Sequence, residues 1–270
     1  MKTRAITGFF FIIVMLASVL LGHWVFGIFY LLLSVYCLWE YFGLIKQYGI
    51  KPGIESGLLN AVCIFVVFTL ASADDDKLYH QLLFLLPVTL STIFLQELFK
   101  KNANPFTNIA YTYLGLIFTI VPFTFFHALA YVGGTFNFHF PLAFLLMLWA
   151  NDTGAYLVGS KLGRVKLFER HSPKKTWEGF IGGIIITAGV AVLISNFYTE
   201  LGWQQWIWIG VLISTFGTMG DLVESMFKRS INVKDSGGIL PGHGGLLDRF
   251  DGLLMAAPIV YAYLYFITNA

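Results

Sequence analysis

Apolar residues run along this chain in long blocks, and short clusters of charged, glycine and proline residues separate them. A helix that crosses a membrane needs about 20 mostly apolar residues. On that rule the pattern predicts nine helices, over 5–22, 24–43, 56–73, 80–99, 107–132, 139–160, 178–197, 203–227 and 248–268. Composition points the same way. A chain of 270 residues that is 57% hydrophobic and 12% charged, with a mean hydropathy of +0.73, is excluded from the soluble globular class. The expected fold is all-α, a polytopic integral membrane protein whose partner is the lipid bilayer, and nothing in the pattern calls for nucleic acid.

Charge gives this expectation an orientation. With a cytoplasmic N-terminus, Lys2, Arg4, Lys46, Lys51, Lys100, Lys101, the run from Lys161 to Lys175, and Lys228, Arg229, Lys234 and Arg249 all fall on one side of the membrane. Only Lys77, beside Asp74, Asp75 and Asp76, falls on the other, so 16 of the 17 basic residues obey the positive-inside rule. Removing one span would scramble that sorting, so it supports an odd count with the C-terminus on the periplasmic side. The first segment has the basic start of a signal peptide but no small-residue cleavage site before the second span, and it reads as a retained helix. Cys37 and Cys63 both fall inside spans, which implies neither a disulfide framework nor a metal site.

Unusual polar groups concentrate in the second half. Residues 1–135 are poor in charge and read as a transmembrane scaffold of five helices; residues 136–270 read as the catalytic region, with helices six to nine and their loops. Three clusters stand out. Asn151-Asp152-Thr153-Gly154 lies deep in the sixth span, and an acid there must face a polar cavity or a partner such as Lys161 or Arg164. The stretch from Arg170 to Gly179 runs into the seventh helix. Ser172 suits a cap, Pro173 a first helical position, and Lys174 and Lys175 add point charges, which together suggest a phosphate seat at a helix N-terminus. Lys166 and Arg170 read as anchors to lipid headgroups.

The third cluster spans Ser225 to Asp251. Asp221, Glu224, Ser225 and Lys228 are spaced to share one stripe of the eighth helix, and Asp248 and Asp251 are three apart at the start of the ninth. Carboxylates on two helix ends joined by a glycine-rich hairpin suit a hard cation held through oxygen, with magnesium bridged to substrate phosphates as the expected occupant. Gly237, Gly238, Gly242, Gly244 and Gly245 let backbone approach a ligand, while Lys234, His243 and Arg249 offer contacts to anionic oxygens. The arrangement reads as a centre for metal-assisted phosphoryl or nucleotidyl transfer.

The segment Ser225-Met-Phe-Lys-Arg, four residues, then Lys234 through Asp251, resembles the signature of phosphatidate cytidylyltransferases at every specified position. The stretches Asp152 to Gly163 and Ser172 to Gly179, and the Lys2-Thr3-Arg4 opening, are similar to the same family. The resemblance covers 140–270 well and little of the first half. It implies the reaction of CTP with phosphatidate to give CDP-diacylglycerol and pyrophosphate, in phospholipid biosynthesis, at the cytoplasmic face of a bacterial inner membrane.

In that frame Asp221 and Asp248 are expected to hold Mg2+, with Asp251 and Glu224 as further ligands or close behind them, and with room for a second metal ion. Lys228, Arg229, Lys234, His243 and Arg249 are expected on phosphates beside Ser225, and Asp152, Lys161, Ser172, Lys174 and Lys175 along the CTP or lipid-phosphate side. Small residues on several helices leave room for a homodimer. Asp248-x-x-Asp251-Gly252 also echoes CDP-alcohol phosphatidyltransferases, but no acid follows Asp251 where that family carries more. A polyprenol kinase is disfavoured by the uninterrupted signature. An ion-coupled transporter is disfavoured because Asp221, Glu224, Asp248 and Asp251 crowd one end of their spans instead of the midplane.

Overall fold

A computed structural model describes residues 2–73, 76–239 and 244–268, with side chains from Ile6 onward. Apart from one short hairpin its regular elements are helical. They are α1 (Lys2–Leu20), α2 (His23–Gln47), α3 (Ile54–Ala73), α4 (Lys77–Leu98), α5 (Pro105–Tyr131), α6 (His139–Leu162), α7 (Trp177–Ser195), α8 (Trp203–Ser230) and α9 (Leu247–Thr268). Among the described residues eight, α2 to α9, are long and apolar enough to cross a membrane, and α1 carries a shorter apolar stretch, Ile6–Leu20. The chain is thus an all-α polytopic membrane protein, with helices in the expected order.

Two irregular turns inside the spans have a common cause. Pro87 lacks the N–H that would reach back four residues, and a 3-10 turn, Leu83–Leu85, absorbs the defect in α4. In α5 the π turn Leu116–Ile120 does the same ahead of Pro122. Large apolar side chains such as Phe84, Phe99 and Phe197 are 78%, 85% and 80% exposed, which is tolerable only if the surrounding solvent is lipid.

The chain divides into two compact units. The first comprises Met1–Asn137 together with Asp235–Arg249, so most of the signature hairpin belongs with the helices of the N-terminal half. In it α3 packs on α2, α4 and α5. An aromatic core of Phe26, Tyr30 and Phe126, with ring centroids 4.8–5.9 Å apart, fills the space between α2 and α5. A buried polar network ties the α2–α3 turn to α5. Asn108 accepts the Lys51 N–H at 3.0 Å, Thr112 accepts that of Gly53 at 2.9 Å, and Asn108 in turn donates to the buried Glu97 at 2.7 Å.

The second unit comprises Phe138–Lys234 and Phe250–Ala270. Here α7 packs on both α6 and α8. Glycines set the spacing. A Cβ at Gly179 would lie 2.8 Å from the Ala155 carbonyl oxygen, and one at Gly182 2.5 Å from the Val158 side chain, so α6 and α7 touch backbone to backbone. A hairpin of β1 (Lys166–Phe168) and β2 (Ser172–Thr176) joins them.

The hairpin corrects one expectation. Ser172 does not cap α7 and Pro173 is not its first residue. Ser172–Thr176 is extended and paired, Lys166 with Thr176 and Phe168 with Ser172, and the cap is Thr176, whose Oγ1 accepts the Gly179 N–H at 3.2 Å. Pro173 is tolerated because a two-stranded ribbon consists only of edges. Glu178 then closes the base of the hairpin by accepting the Arg164 N–H at 3.0 Å and the Val165 N–H at 3.2 Å.

Candidate active site

The second unit contains a cavity of about 420 Å³ between α6, α7, α8 and the hairpin. Asn151, Asp152, Lys174, Lys175, Thr218 and Asp221 line it. Two of the sequence clusters and Asp221, at the start of the α8 stripe, therefore meet in one place. Lys175 Nζ lies 2.5 Å from Asp221 Oδ2, with both side chains roughly a third exposed. Ser225 donates from Oγ to Asp221 Oδ1 at 3.2 Å, one helical turn below. Asp152 faces the cavity, where the buried Asn151 donates to it at 3.4 Å.

The expected stripe on α8 exists but splits into two environments. Asp221, at the cavity, and Ser225, bonded to it, are half-buried, whereas Glu224 and Lys228 form a 2.6 Å ion pair with Glu224 fully enclosed. Lys228 has a buried carboxylate as its partner in this arrangement, and its ammonium balances a charge that the protein itself placed in the interior.

Asp251 is set against α8 by close backbone contact. A Cβ at Gly220 would fall well inside van der Waals contact distance of the Asp251 carbonyl oxygen, and one at Gly217 would lie 3.9 Å from Gly252 Cα. This crossing brings the Asp251 carboxylate within electrostatic range of Asp221, Glu224 and Asp152. Four acids thus share a region that supplies Lys175 and Lys228 as nearby cations.

In the first unit Asp248 stands in the opening turn of α9 and accepts main-chain hydrogen bonds. The Ser236 N–H reaches Oδ2 at 2.9 Å and the Gly245 N–H reaches it at 3.0 Å. Gly244, beside it, takes φ 84°, which only glycine adopts without strain. Arg249 and Lys234 are exposed, and Arg229 donates to the Val233 carbonyl at 3.2 Å, closing the end of α8. Lys161 is exposed in the last turn of α6, and Ser172 is half-buried in β2. His243 and Gly242 lie outside the described residues.

Sequence reading missed Glu40. It sits in α2, in the half that reads as scaffold, yet it is 7% exposed and its Oε2 accepts the Leu247 N–H at 2.8 Å. A lone acid inside an apolar span was the available signal.

The donor set suits a hard cation completed by its substrate. Among the described residues no three His, Cys, Asp or Glu side chains converge into a ready-made metal cluster. Asp221 and Asp251 nevertheless offer carboxylate oxygens in one region, and magnesium commonly takes one or two protein carboxylates and fills its remaining positions with water and phosphate.

A polytopic membrane protein with a cavity of paired acids and lysines is the class defined by these features. A family model described as the cytidylyltransferase family matches residues 2–267. Phosphatidate cytidylyltransferase of Staphylococcus haemolyticus (strain JCSC1435) is 35% identical over 263 residues, covering 96% of this chain and 97% of the relative. That of Staphylococcus aureus (strain COL) is 36% identical over 262 residues with the same coverage, and that of Staphylococcus saprophyticus is 33% identical over 263. The chain belongs to the cytidylyltransferase family.

Proposed function

We propose that this chain is a phosphatidate cytidylyltransferase, which joins CTP and phosphatidate into CDP-diacylglycerol and pyrophosphate. Family membership over nearly the whole length carries the reading. The cavity supports it, because Lys174 and Lys175 stand where a polyphosphate would need cations and Asp221 where a cation would need an anion.

The reaction forms a bond between a phosphate oxygen of phosphatidate and the α-phosphorus of CTP, and it breaks the bond from that phosphorus to the β-phosphate. A phosphomonoester is largely ionised at neutral pH, since its second pKa is about 6, so the attacking oxygen needs no strong base. The work left for the protein is positioning and charge neutralisation. Lys175 can exchange Asp221 for a CTP phosphate without crossing the cavity, and Lys174 adds a second ammonium on the same strand. Asp152 and Asn151, which line the same cavity from α6, provide an acceptor and a donor for the rest of the ligand.

Mg2+ is the proposed cofactor, with Asp221 and Asp251 as its proposed ligands in the second unit; a metal role for Asp248 is what the family resemblance implies. When bound it would offset the charge that grows on pyrophosphate as it leaves. The active site is proposed to face the cytoplasm, the side to which the basic loops sort, in the cytoplasmic membrane of a bacterium. The test uses purified protein in mixed micelles with phosphatidate and CTP labelled at the α-phosphate. Magnesium-dependent label in the lipid, with pyrophosphate released, is the expected result. Label that enters lipid only from the γ-phosphate would make the chain a kinase and overturn the reading.

A further inference from the structure

One charged group in the first unit lies outside every motif above. Glu40 projects from α2 about two turns before the helix ends at Gln47, in a span whose other buried positions are almost all apolar. Burying a carboxylate there is costly unless hydrogen bonds offset it. The partners it finds are the two ends of the signature hairpin. Its Oε2 accepts the Leu247 N–H at 2.8 Å, and the buried Ser236 hydroxyl donates to it at 3.5 Å. The fit is close on both sides. A Cβ at Gly237 would lie 2.5 Å from Glu40 Oε1, and one at Gly245 2.7 Å from Oε2.

Asp248 grips the same two ends from the other direction, through the N–H groups of Ser236 and Gly245. Ser236 therefore gives its N–H to Asp248 and its hydroxyl to Glu40. A Cβ at Gly245 would strike Ser236 Oγ, so the two limbs of the hairpin touch and have no slack. Two carboxylates hold the base of the hairpin shut, and only Asp248 belongs to it; Glu40 reaches it across 207 residues of sequence.

We propose that Glu40 is a positioning residue for cytidylyl transfer: its carboxylate clamps Ser236 to Leu247 and so fixes the hairpin and the Asp248 carboxylate in their working geometry. The proposal rests on the functional reading above for its catalytic part and on the hydrogen bonds alone for the clamp. The clamp is charge-assisted, which makes each of its bonds stronger than a neutral one.

The test compares the full chain in detergent micelles as wild type, Glu40→Ala, Glu40→Gln, Gly245→Ala and Glu40→Gln with Gly245→Ala. Two readouts are taken, amide hydrogen exchange along the chain and steady-state transfer of α-labelled CTP into lipid. In Glu40→Ala, exchange at Ser236, Gly245 and Leu247 should rise at least about tenfold while the amides of α3 to α5 stay protected, and kcat should fall by roughly 10- to 100-fold with the KM for CTP little changed. Glu40→Gln keeps a carbonyl oxygen for the Leu247 N–H and should recover to within about tenfold of wild type. If Glu40→Ala does not accumulate, the remaining variants decide. Gly245→Ala opens the same clamp from the hairpin side, so the double variant should be no worse than its worse single within about twofold.

Exchange that rises evenly through the helices, exchange unchanged at the hairpin, or losses that multiply in the double variant would overturn the clamp. Hairpin-specific exchange in a protein that never moves label from CTP into lipid would keep the clamp and overturn the cytidylyltransferase reading instead.

Discussion

Lys175 and Asp221 meet at 2.5 Å on the wall of the cavity, one from the strand before α7 and the other from α8. The pair is about one-third exposed, so solvent screens it and its loss should cost under about 1 kcal/mol of stability. On the proposed function its weight is larger, because Lys175 would meet a CTP phosphate and Asp221 would hold Mg2+. Lys175→Ala should raise the KM for CTP about tenfold, the magnitude expected for one charge-assisted contact, and leave the melting temperature within a few degrees. Asp221→Asn should lower kcat by at least about 100-fold in a protein that inserts normally. Wild-type turnover in Asp221→Asn, or unchanged KM in Lys175→Ala, would remove these residues from the site.

Glu224 and Lys228 present the opposite case. Their pair is enclosed, with Glu224 1% exposed, so removing one partner strands a buried charge. Lys228→Met should destabilise the protein by about 3–5 kcal/mol, whereas Glu224→Gln combined with Lys228→Met should restore most of that loss. Detergent-melting curves of the three proteins measure the effect. Equal melting of the single and double variants would show that the pair does not act as a unit.

The α8–α9 crossing tolerates no side chain at Gly220, since a methyl group there meets the main-chain oxygen of Asp251. Backbone cannot step aside as a flexible side chain can. Gly220→Ala should push Asp251 away from Asp221, with a loss of activity of about tenfold or more and a stability cost of about 1–3 kcal/mol. Gly189→Ala is the matched control, because a methyl group there would have nothing within 4 Å and alanine favours a helix. A Gly220→Ala protein as active as the control would show that the crossing can spread without moving the acid.

The difference between what the sequence revealed and what it concealed follows from range. Spans were legible because twenty apolar residues in a row have no other stable setting. The stripe from Asp221 to Lys228 was legible because helical periodicity alone places residues three and four apart on one face. Its division into a half-exposed Asp221–Ser225 pair and a buried Glu224–Lys228 pair was not, since burial depends on what α8 packs against. Ser172-Pro173 misled for a local reason: a serine followed by proline has the chemistry of a helix start, but the same residues also suit an edge strand, and Thr176 is an equally good cap four residues on. Glu40 was concealed by distance. Its partners lie 196 and 207 residues away, and no motif joins them.

Orientation gives the last prediction. Lys77 at the start of α4 and Lys166 in β1 are both exposed, and three spans, α4, α5 and α6, separate them. An odd number of crossings puts the two positions on opposite faces. The basic-residue sorting assigns Lys166, near the cavity, to the cytoplasmic face. Cysteine is introduced at each position in a Cys37→Ala, Cys63→Ala background, because the two native thiols would otherwise confuse the reading. In intact cells an impermeant maleimide should label Lys77→Cys and spare Lys166→Cys, and in inside-out vesicles the pattern should reverse. Labelling of both from one side would require an even number of crossings between them, and labelling of Lys166→Cys in intact cells would move the cavity away from the compartment that holds CTP.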